Sequence, residues 1–416
     1  MNKAAIGSTL LRVLSMASKF LLIMYIAKVL QDKDTGTLNL MTQTIANGVM
    51  LAGMQFFLYA NRELSGADEA DRGKVIRNQI VFYSRLYIFV LPIFLVAFGI
   101  GTLNWHLIGW FYAILLSDHA SYELQRMLAS THKAVQSNVI HTIRTGLWVY
   151  PLIAVMVFAP TTQNLTTIWV SWLIASLLSV VLSIYWLRGT GIQEAFKQPV
   201  DWSWIKDGVK VTTQYLPVTA NLFVTTLIDR YALEFFHGRE IVAVYGIFVT
   251  VANIVVTFPE AGICTVMGPK IINAYAQQRY EEHRELLRDF SKKLIAMVAV
   301  LSVVAVIALL LALKFYVKKS LYIDNVWAFG PILGSCAFVA IGVWPHFALY
   351  SRKLDKEIVY ITILCTVGYI IALFATVPAF SIVGAAWSTF GLQAGLFFAK
   401  LIVSRRVERK ETAERI

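Results

Sequence analysis

Residues 6–30 read IGSTLLRVLSMASKFLLIMYIAKVL, a mostly apolar run that ends near Lys28 and is broken in its interior by two cations, Arg12 and Lys19. At 1.5 Å of rise per residue, a helix of about 20 such residues crosses the roughly 30 Å of bilayer hydrocarbon. A cation in that layer costs several kcal/mol unless it meets water or a partner, so it marks a functional site by default. The same two charges break the uninterrupted apolar core that a cleaved signal peptide needs. The run therefore reads as an uncleaved spanning helix. Arg85, Arg144 and Arg230 interrupt later apolar runs in the same way. Five cations inside spans imply something anionic to handle.

Composition agrees. Of 416 residues, 57% are hydrophobic and only 15% are charged, with a mean hydropathy of +0.63. Soluble domains carry about 25% charged residues, so this is an all-α integral membrane protein. The net charge of +12 would point to nucleic acid in a soluble chain, but the positions of the charges exclude that partner here. Cys264, Cys336 and Cys365 lie far apart in apolar helices and show neither disulfide nor metal-ligand spacing. No Gly-Lys-Ser phosphate loop, His-Glu-x-x-His or G-x-S-x-G motif occurs, so neither a cofactor nor an enzyme is expected. Asn164-Leu165-Thr166 matches a glycosylation acceptor, a triplet that chance supplies often.

Twelve transmembrane helices are expected near 6–30, 36–60, 79–101, 105–127, 136–159, 165–188, 210–235, 241–271, 290–314, 323–350, 358–377 and 381–403. Their connections alternate between basic and cation-poor. With cations at the span ends counted on the side they adjoin, twenty-six Lys and Arg fall on the N-terminal side, six on the other and five deep within spans, which accounts for all 37. Cytoplasmic loops carry the excess, so both termini are expected in the cytoplasm. The connection at 191–209, with Trp202 and Trp204 suited to the membrane interface, separates a six-helix bundle at 1–190 from another at 210–404, and a basic tail follows at 405–416. Thr44-Ile45-Ala46-Asn47 recurs as Thr250-Val251-Ala252-Asn253 in the second helix of the other half, as in a repeat.

Residues three, four and seven apart share a helix face. Ser8, Arg12, Ser15 and Lys19 form one stripe, and Asn39, Gln43 and Asn47 a second. Gln214, Asn221, Thr225 and Asp229 form a third, and Thr250, Asn253, Thr257 and Glu260 a fourth. Interhelical hydrogen bonding is the plain explanation of each; four stripes at equivalent places in two halves favour a water-filled cavity. Arg12, Arg85 and Arg144 lie at similar depth, on the order of 10 Å from the cytoplasmic end, with Lys19 deeper. Together they are expected to bind phosphate, which Arg grips bidentately. Arg230, beside Asp229, reads as an edge pair. The acids Asp118, Glu123 and Glu260 are expected near the arginines, with Glu260 and Asp118 as ion-coupling candidates. Pro259 predicts a bend at Glu260. His119 and His141 titrate near neutrality in water, but a lone membrane histidine is more often structural.

Ser8-Thr9-Leu10-Leu11-Arg12, Asp34-Thr35-Gly36-Thr37-Leu38-Asn39 and Val266-Met267-Gly268-Pro269-Lys270, on this architecture, resemble the polysaccharide flippases of the multidrug/oligosaccharidyl-lipid/polysaccharide exporter superfamily. The Wzx-like O-antigen repeat-unit flippases are the most similar group. The resemblance implies two pseudo-symmetric six-helix bundles around a central cavity, lined by the first, second, seventh and eighth helices. It implies a bacterial inner-membrane protein that moves undecaprenyl-diphosphate-linked oligosaccharide between leaflets by alternating access, coupled to H⁺ or Na⁺. Arg12, Lys19, Arg85 and Arg144 would then hold the diphosphate, while Ser8, Ser15, Asn39, Gln43, Asn47, Gln214, Asn221, Thr225, Asn253 and Thr257 would meet sugars. Membrane lipids and, beyond them, polysaccharide polymerase and chain-length proteins would be its partners. A lipid II flippase, a cation-exporting multidrug transporter and a membrane polymerase or ligase stand as alternatives. Two missing helices, the intramembrane cations and the lack of a large loop weigh against them in turn.

Overall fold

The computed structural model describes residues 3–413, leaving the side chains of 3–13, 16, 69, 70, 218, 412 and 413 undescribed. Among the described residues there is helix but no strand, and the chain forms two compact units, Met1–Ile228 and Asp229–Ile416.

The first unit contains α1 (Lys3–Val29), α2 (Asp32–Gly53), α3 (Phe57–Gly66), α4 (Glu69–Val90), α5 (Leu95–Gly99), α6 (Ile108–Ser130), α7 (Ala134–Thr142), α8 (Val149–Phe158), α9 (Leu165–Leu187), α10 (Ile192–Ala195) and α11 (Trp202–Thr212). α12 (Leu216–His237) runs across the boundary between the units. α6 lies at the centre, packed against α2, α3, α7 and α9. Asn164 caps α9 by accepting from the Thr167 amide at 3.1 Å, a local duty that explains the Asn there without a glycan. Asp201 caps α11 through the Trp204 amide in the same way.

The expected span at 36–60 is broken. α2 stops at Gly53 because Met54 and Gln55 both take left-handed backbone, at φ 43° and 56°. A non-glycine residue rarely accepts that conformation, and two in succession store strain that packing must offset. The offset is visible in Phe56, fully buried and stacked on Phe82 with ring centroids 4.0 Å apart, beside Tyr59, Tyr83 and Trp204. Gly208 of α11 lets the backbone approach this cluster: a Cβ there would lie 2.5 Å from the Phe56 ring. Arg77, buried on α4, donates to the Ala195 and Gln198 carbonyls at 2.8 Å each and so pins the connection at 191–209.

The second unit holds α13 (Arg239–Ala252), α14 (Ile254–Pro259), α15 (Thr265–Ala276), α16 (Tyr280–Leu311), α17 (Ser320–Asp324), α18 (Phe329–Tyr350) and α19 (Asp355–Ala413). At Pro259 the helix opens into a π-turn over Glu260–Cys264, the bend that Pro259 predicts. α19 is interrupted at Ser381, where φ is 50° and ψ −131°. Thr376 and Ser388 hydroxyls meet at 2.9 Å; in a continuous helix twelve residues would separate them by about 18 Å, so the chain reverses there. That reversal falls between the expected spans at 358–377 and 381–403. The first part of α16, 280–293, carries eight charged residues and lies outside its apolar stretch. There His283 is buried with Nε2 3.0 Å from the Ser351 hydroxyl, and burial together with the Arg352 guanidinium pushes its imidazole down to about 4. Arg352 itself pairs with Glu411.

Seven described helical runs are long and apolar enough to cross a membrane: Asp71–Gly99, Ala134–Phe158, Leu165–Thr190, Arg239–Ala276, Tyr280–Val317, Val326–Tyr350 and Asp355–Glu411. The last contains two of the expected spans. The expected spans near 6–30, 36–60, 105–127 and 210–235 are helical but are not among the seven, and they hold three of the four polar stripes and the charges of α6. Large apolar side chains such as Phe89, Phe158, Val181, Phe235 and Val300 stand exposed, the outward band that a lipid-facing surface requires.

Candidate functional site

The first unit gathers its charges where α1, α6 and the α7–α8 run meet. Small residues permit the approach. A Cβ on Gly146 would lie 2.4 Å from Ser18 Oγ and 2.8 Å from Ser15 Cα, so α1 rests directly on glycine backbone, as small-residue faces do in membranes. That contact sets Lys19 within electrostatic reach of Arg144 and Asp118. Lys19 remains exposed.

Arg144 stands in a π-turn, Ile143–Leu147. Such turns add a residue to the helix and often occur at functional positions. One guanidinium nitrogen donates to both Asp118 oxygens, at 3.2 and 3.1 Å, and Ser176 reaches the first of them at 3.5 Å. The Arg144 Nε is buried without a hydrogen-bond acceptor, leaving donor capacity unused. Its guanidinium carbon lies 4.6 Å from the centre of the Tyr122 ring. Arg126 lies 3.8 Å from that same ring and 3.4 Å from the Phe57 ring. It also pairs with Glu123 at 2.7 Å. Asp118, Tyr122 and Arg126, at i, i+4 and i+8 of α6, form the stripe that joins these groups.

Beside that stripe lies a drier cluster. Glu123 Oε2 accepts from the Tyr83 hydroxyl at 2.7 Å and the Gln79 amide at 3.1 Å. His119 Nδ1 is 2.6 Å from the Tyr87 hydroxyl, while its Nε2 is buried without a partner.

The expected residues divide accordingly. Arg144 and Lys19 come together with Asp118, which stands as the counterion of Arg144. Arg85 does not join them: it is exposed and lies over the Trp202 ring at 4.2 Å, because its direction along α4 carries it to α11. The side chains of Arg12 and Ser8 lie outside the described residues. Ser15 and Asn39 are buried and Gln43 half-buried. Asn47 donates to the Gln43 carbonyl and accepts from Thr226 at 2.8 Å. Thr225 and Thr257 bond to carbonyls of their own helices, at Asn221 and Asn253. Gln214, Asn253 and Glu260 are exposed and Asn221 is half-buried. Arg230 does pair with Asp229, and Tyr245 donates to Asp229 Oδ2 at 2.7 Å, with all three buried. Sequence reading missed Arg126 and Tyr122. Arg126 stands near the basic end of its span and was counted among loop cations, yet the four-residue spacing 118, 122, 126 was there to find.

The arrangement can hold an anion. Two guanidinium groups around one aromatic ring offer planar, charge-assisted donors with limited hydration, and a neighbouring ammonium adds a point charge. Among the described residues no cluster of His, Cys, Asp or Glu fits a metal ion.

No protein-family model and no curated protein matches the chain. Solved structures do. One, described as the inward-facing conformation of a multidrug resistance MATE family transporter of the MOP superfamily, aligns with a TM-score of 0.76 over 97% of this chain and 99% of its own, at 12% identity. Another, the lipid II flippase MurJ in an inward closed conformation, aligns with a TM-score of 0.65 over 96% of this chain and 87% of its own, also at 12% identity. The chain has the fold of these transporters.

Proposed function

We propose that the chain crosses the bilayer twelve times, as two six-helix halves with both termini cytoplasmic, and moves a lipid-linked anionic substrate between leaflets. The class we infer is an undecaprenyl-diphosphate-linked oligosaccharide of the O-antigen repeat-unit type, in a bacterial inner membrane. One observation carries this reading. Among the described residues Lys19, Arg126 and Arg144 are gathered with two acids, Asp118 and Glu123, so these groups keep an excess positive charge inside a lipid-embedded unit. Maintaining that excess is costly unless an anion relieves it. The likeness to a lipid II flippase supports a lipid-linked substrate. Polar residues such as Asn39, Gln43 and Asn47 suit sugar hydroxyls, and Glu260, in its π-turn, is a candidate for gradient coupling.

The test is flipping of a fluorescent undecaprenyl-diphosphate glycan in proteoliposomes. A charge-assisted hydrogen bond contributes about 1.5–3 kcal/mol, so Arg144→Gln is expected to lower the rate or affinity by about ten- to a hundredfold. Unchanged flipping in both Arg144→Gln and Arg126→Gln refutes the reading. The multidrug transporter gives the higher TM-score of the two likenesses, which favours a second reading, export of a soluble organic molecule. An anionic dye that the liposomes expel, with no glycan-lipid movement, would establish it.

A further inference from the structure

Arg126 and Glu123 look at first like a settled ion pair. Their surroundings differ sharply, however. The Glu123 side chain is almost fully buried, whereas the Arg126 side chain keeps 21% of its surface exposed and stacks on Phe57 and Tyr122 beside Arg144. The cation is placed to reach an anion and the carboxylate is not. We propose that an incoming diphosphate and a proton together replace this ion pair: Arg126 turns from Glu123 to the phosphate, and Glu123 takes up a proton as its guanidinium leaves. This rests on the anion-binding reading above and assigns it a coupled ion.

The physical argument is the cost of an unpaired buried charge. A carboxylate that loses its counterion in a dry interior is driven to its neutral form. The groups seen to face Glu123 do not replace Arg126. Tyr83 and Gln79 from α4 donate neutral hydrogen bonds to Oε2, and α2 presents Gly53. A Cβ on Gly53 would lie 3.5 Å from Glu123 Oε1 and 3.3 Å from His119 Nε2. That puts the partnerless His119 nitrogen across a glycine gap from the oxygen that Arg126 now holds. Tyr87 occupies the other ring nitrogen. Asp118, on the same helix, is held by Arg144. No second cation among these groups is aimed at Glu123. Removing Arg126 therefore leaves a carboxylate with hydrogen bonds but no counter-charge, and a proton balances it: one O–H bond forms at Oε1 as one O–H bond of a hydronium ion breaks to leave water, and the buffer acid restores the hydronium.

The consequence is linkage. Where free Glu123 is ionised, diphosphate affinity weakens by up to about tenfold per pH unit, and each binding event draws up to about one proton. The experiment is calorimetry of the full-length protein in detergent with farnesyl diphosphate, in buffers of different ionisation enthalpy from pH 6.5 to 8.5. The diphosphate's own protonation is common to every variant and cancels in the difference. Wild type is expected to take up more protons than Glu123→Gln, whose affinity should be high and less dependent on pH. Arg126→Gln, which removes the counterion beforehand, is expected to bind more weakly without the extra proton. An infrared difference spectrum of wild type alone should gain a protonated-carboxyl band when the ligand is added, which keeps the test independent of any variant's folding. Saturable binding with equal proton counts in wild type and Glu123→Gln, or with no new carboxyl band, overturns the exchange and leaves the functional reading intact. Absence of saturable binding in wild type overturns both.

Discussion

Replacing Gly146 with alanine tests how Lys19 comes to stand beside Arg144. The added methyl would lie 2.4 Å from Ser18 Oγ and 2.8 Å from Ser15 Cα. Ser18 can rotate, at the loss of its 2.8 Å bond to the Ser15 carbonyl. Ser15 Cα is backbone and cannot. Restoring an ordinary carbon–carbon separation of about 3.5 Å requires α1 to withdraw by roughly 0.7 Å, and overpacking of this kind costs about 1–3 kcal/mol. Lys19 lies one turn beyond Ser15 and would move with the helix, away from Arg144 and Asp118. The expected result is a lowered unfolding midpoint for the purified protein, with farnesyl diphosphate affinity reduced by several-fold. Gly109→Ala is the control, since a Cβ there meets nothing within 4 Å; it should match or slightly exceed wild-type stability. If Gly146→Ala unfolds and binds as wild type does, the close approach of α1 does not position Lys19.

Three further outcomes follow from the same physical reading. Single cysteines near Gln163 should react with an impermeant reagent from outside the cell while those near Lys197 do not, and the reverse pattern would invert the orientation. Burial and Arg352 depress the His283 imidazole to about 4, below its ordinary value of 6.5, so the unfolded chain binds more protons between those values. Stability should be fully present above about pH 6.5 and fall toward pH 4, with the slope reduced in His283→Gln; equal slopes would dismiss the linkage. Arg85→Gln should leave diphosphate affinity unchanged within error and cost at most about 1 kcal/mol of stability through its contact with Trp202. A loss of binding would return Arg85 to the anion site.

Hydropathy located helices well because lipid exposure is a property of whole faces. The outward run of Phe89, Val96 and Phe158 needs no partner to be recognised. The division of α2 from α3 was hidden because it rests on Met54 and Gln55, residues whose side chains give no sign of left-handed backbone. What offsets that strain, Phe56 on Phe82, is distant in sequence. Depth arguments grouped Arg85 with Arg144, but depth fixes only height along a helix, and direction around it sends Arg85 to Trp202. Arg126 shows the opposite failure. Its position at the charged end of a span made it look solvated, whereas Phe57, reached only after the unforeseen break, covers one side of it.

The π-turns at Ile143–Leu147 and Glu260–Cys264 have a consequence for comparison between chains. Each holds one residue more than an α-turn of similar rise, so the faces before and after it differ in phase by about 100°. A chain whose corresponding helix is regular lacks that residue. Aligning the two correctly requires a one-residue gap in the middle of a membrane helix, where a break is least expected. Without that gap every position beyond the turn is compared with its neighbour, and lipid-facing residues are matched to buried ones.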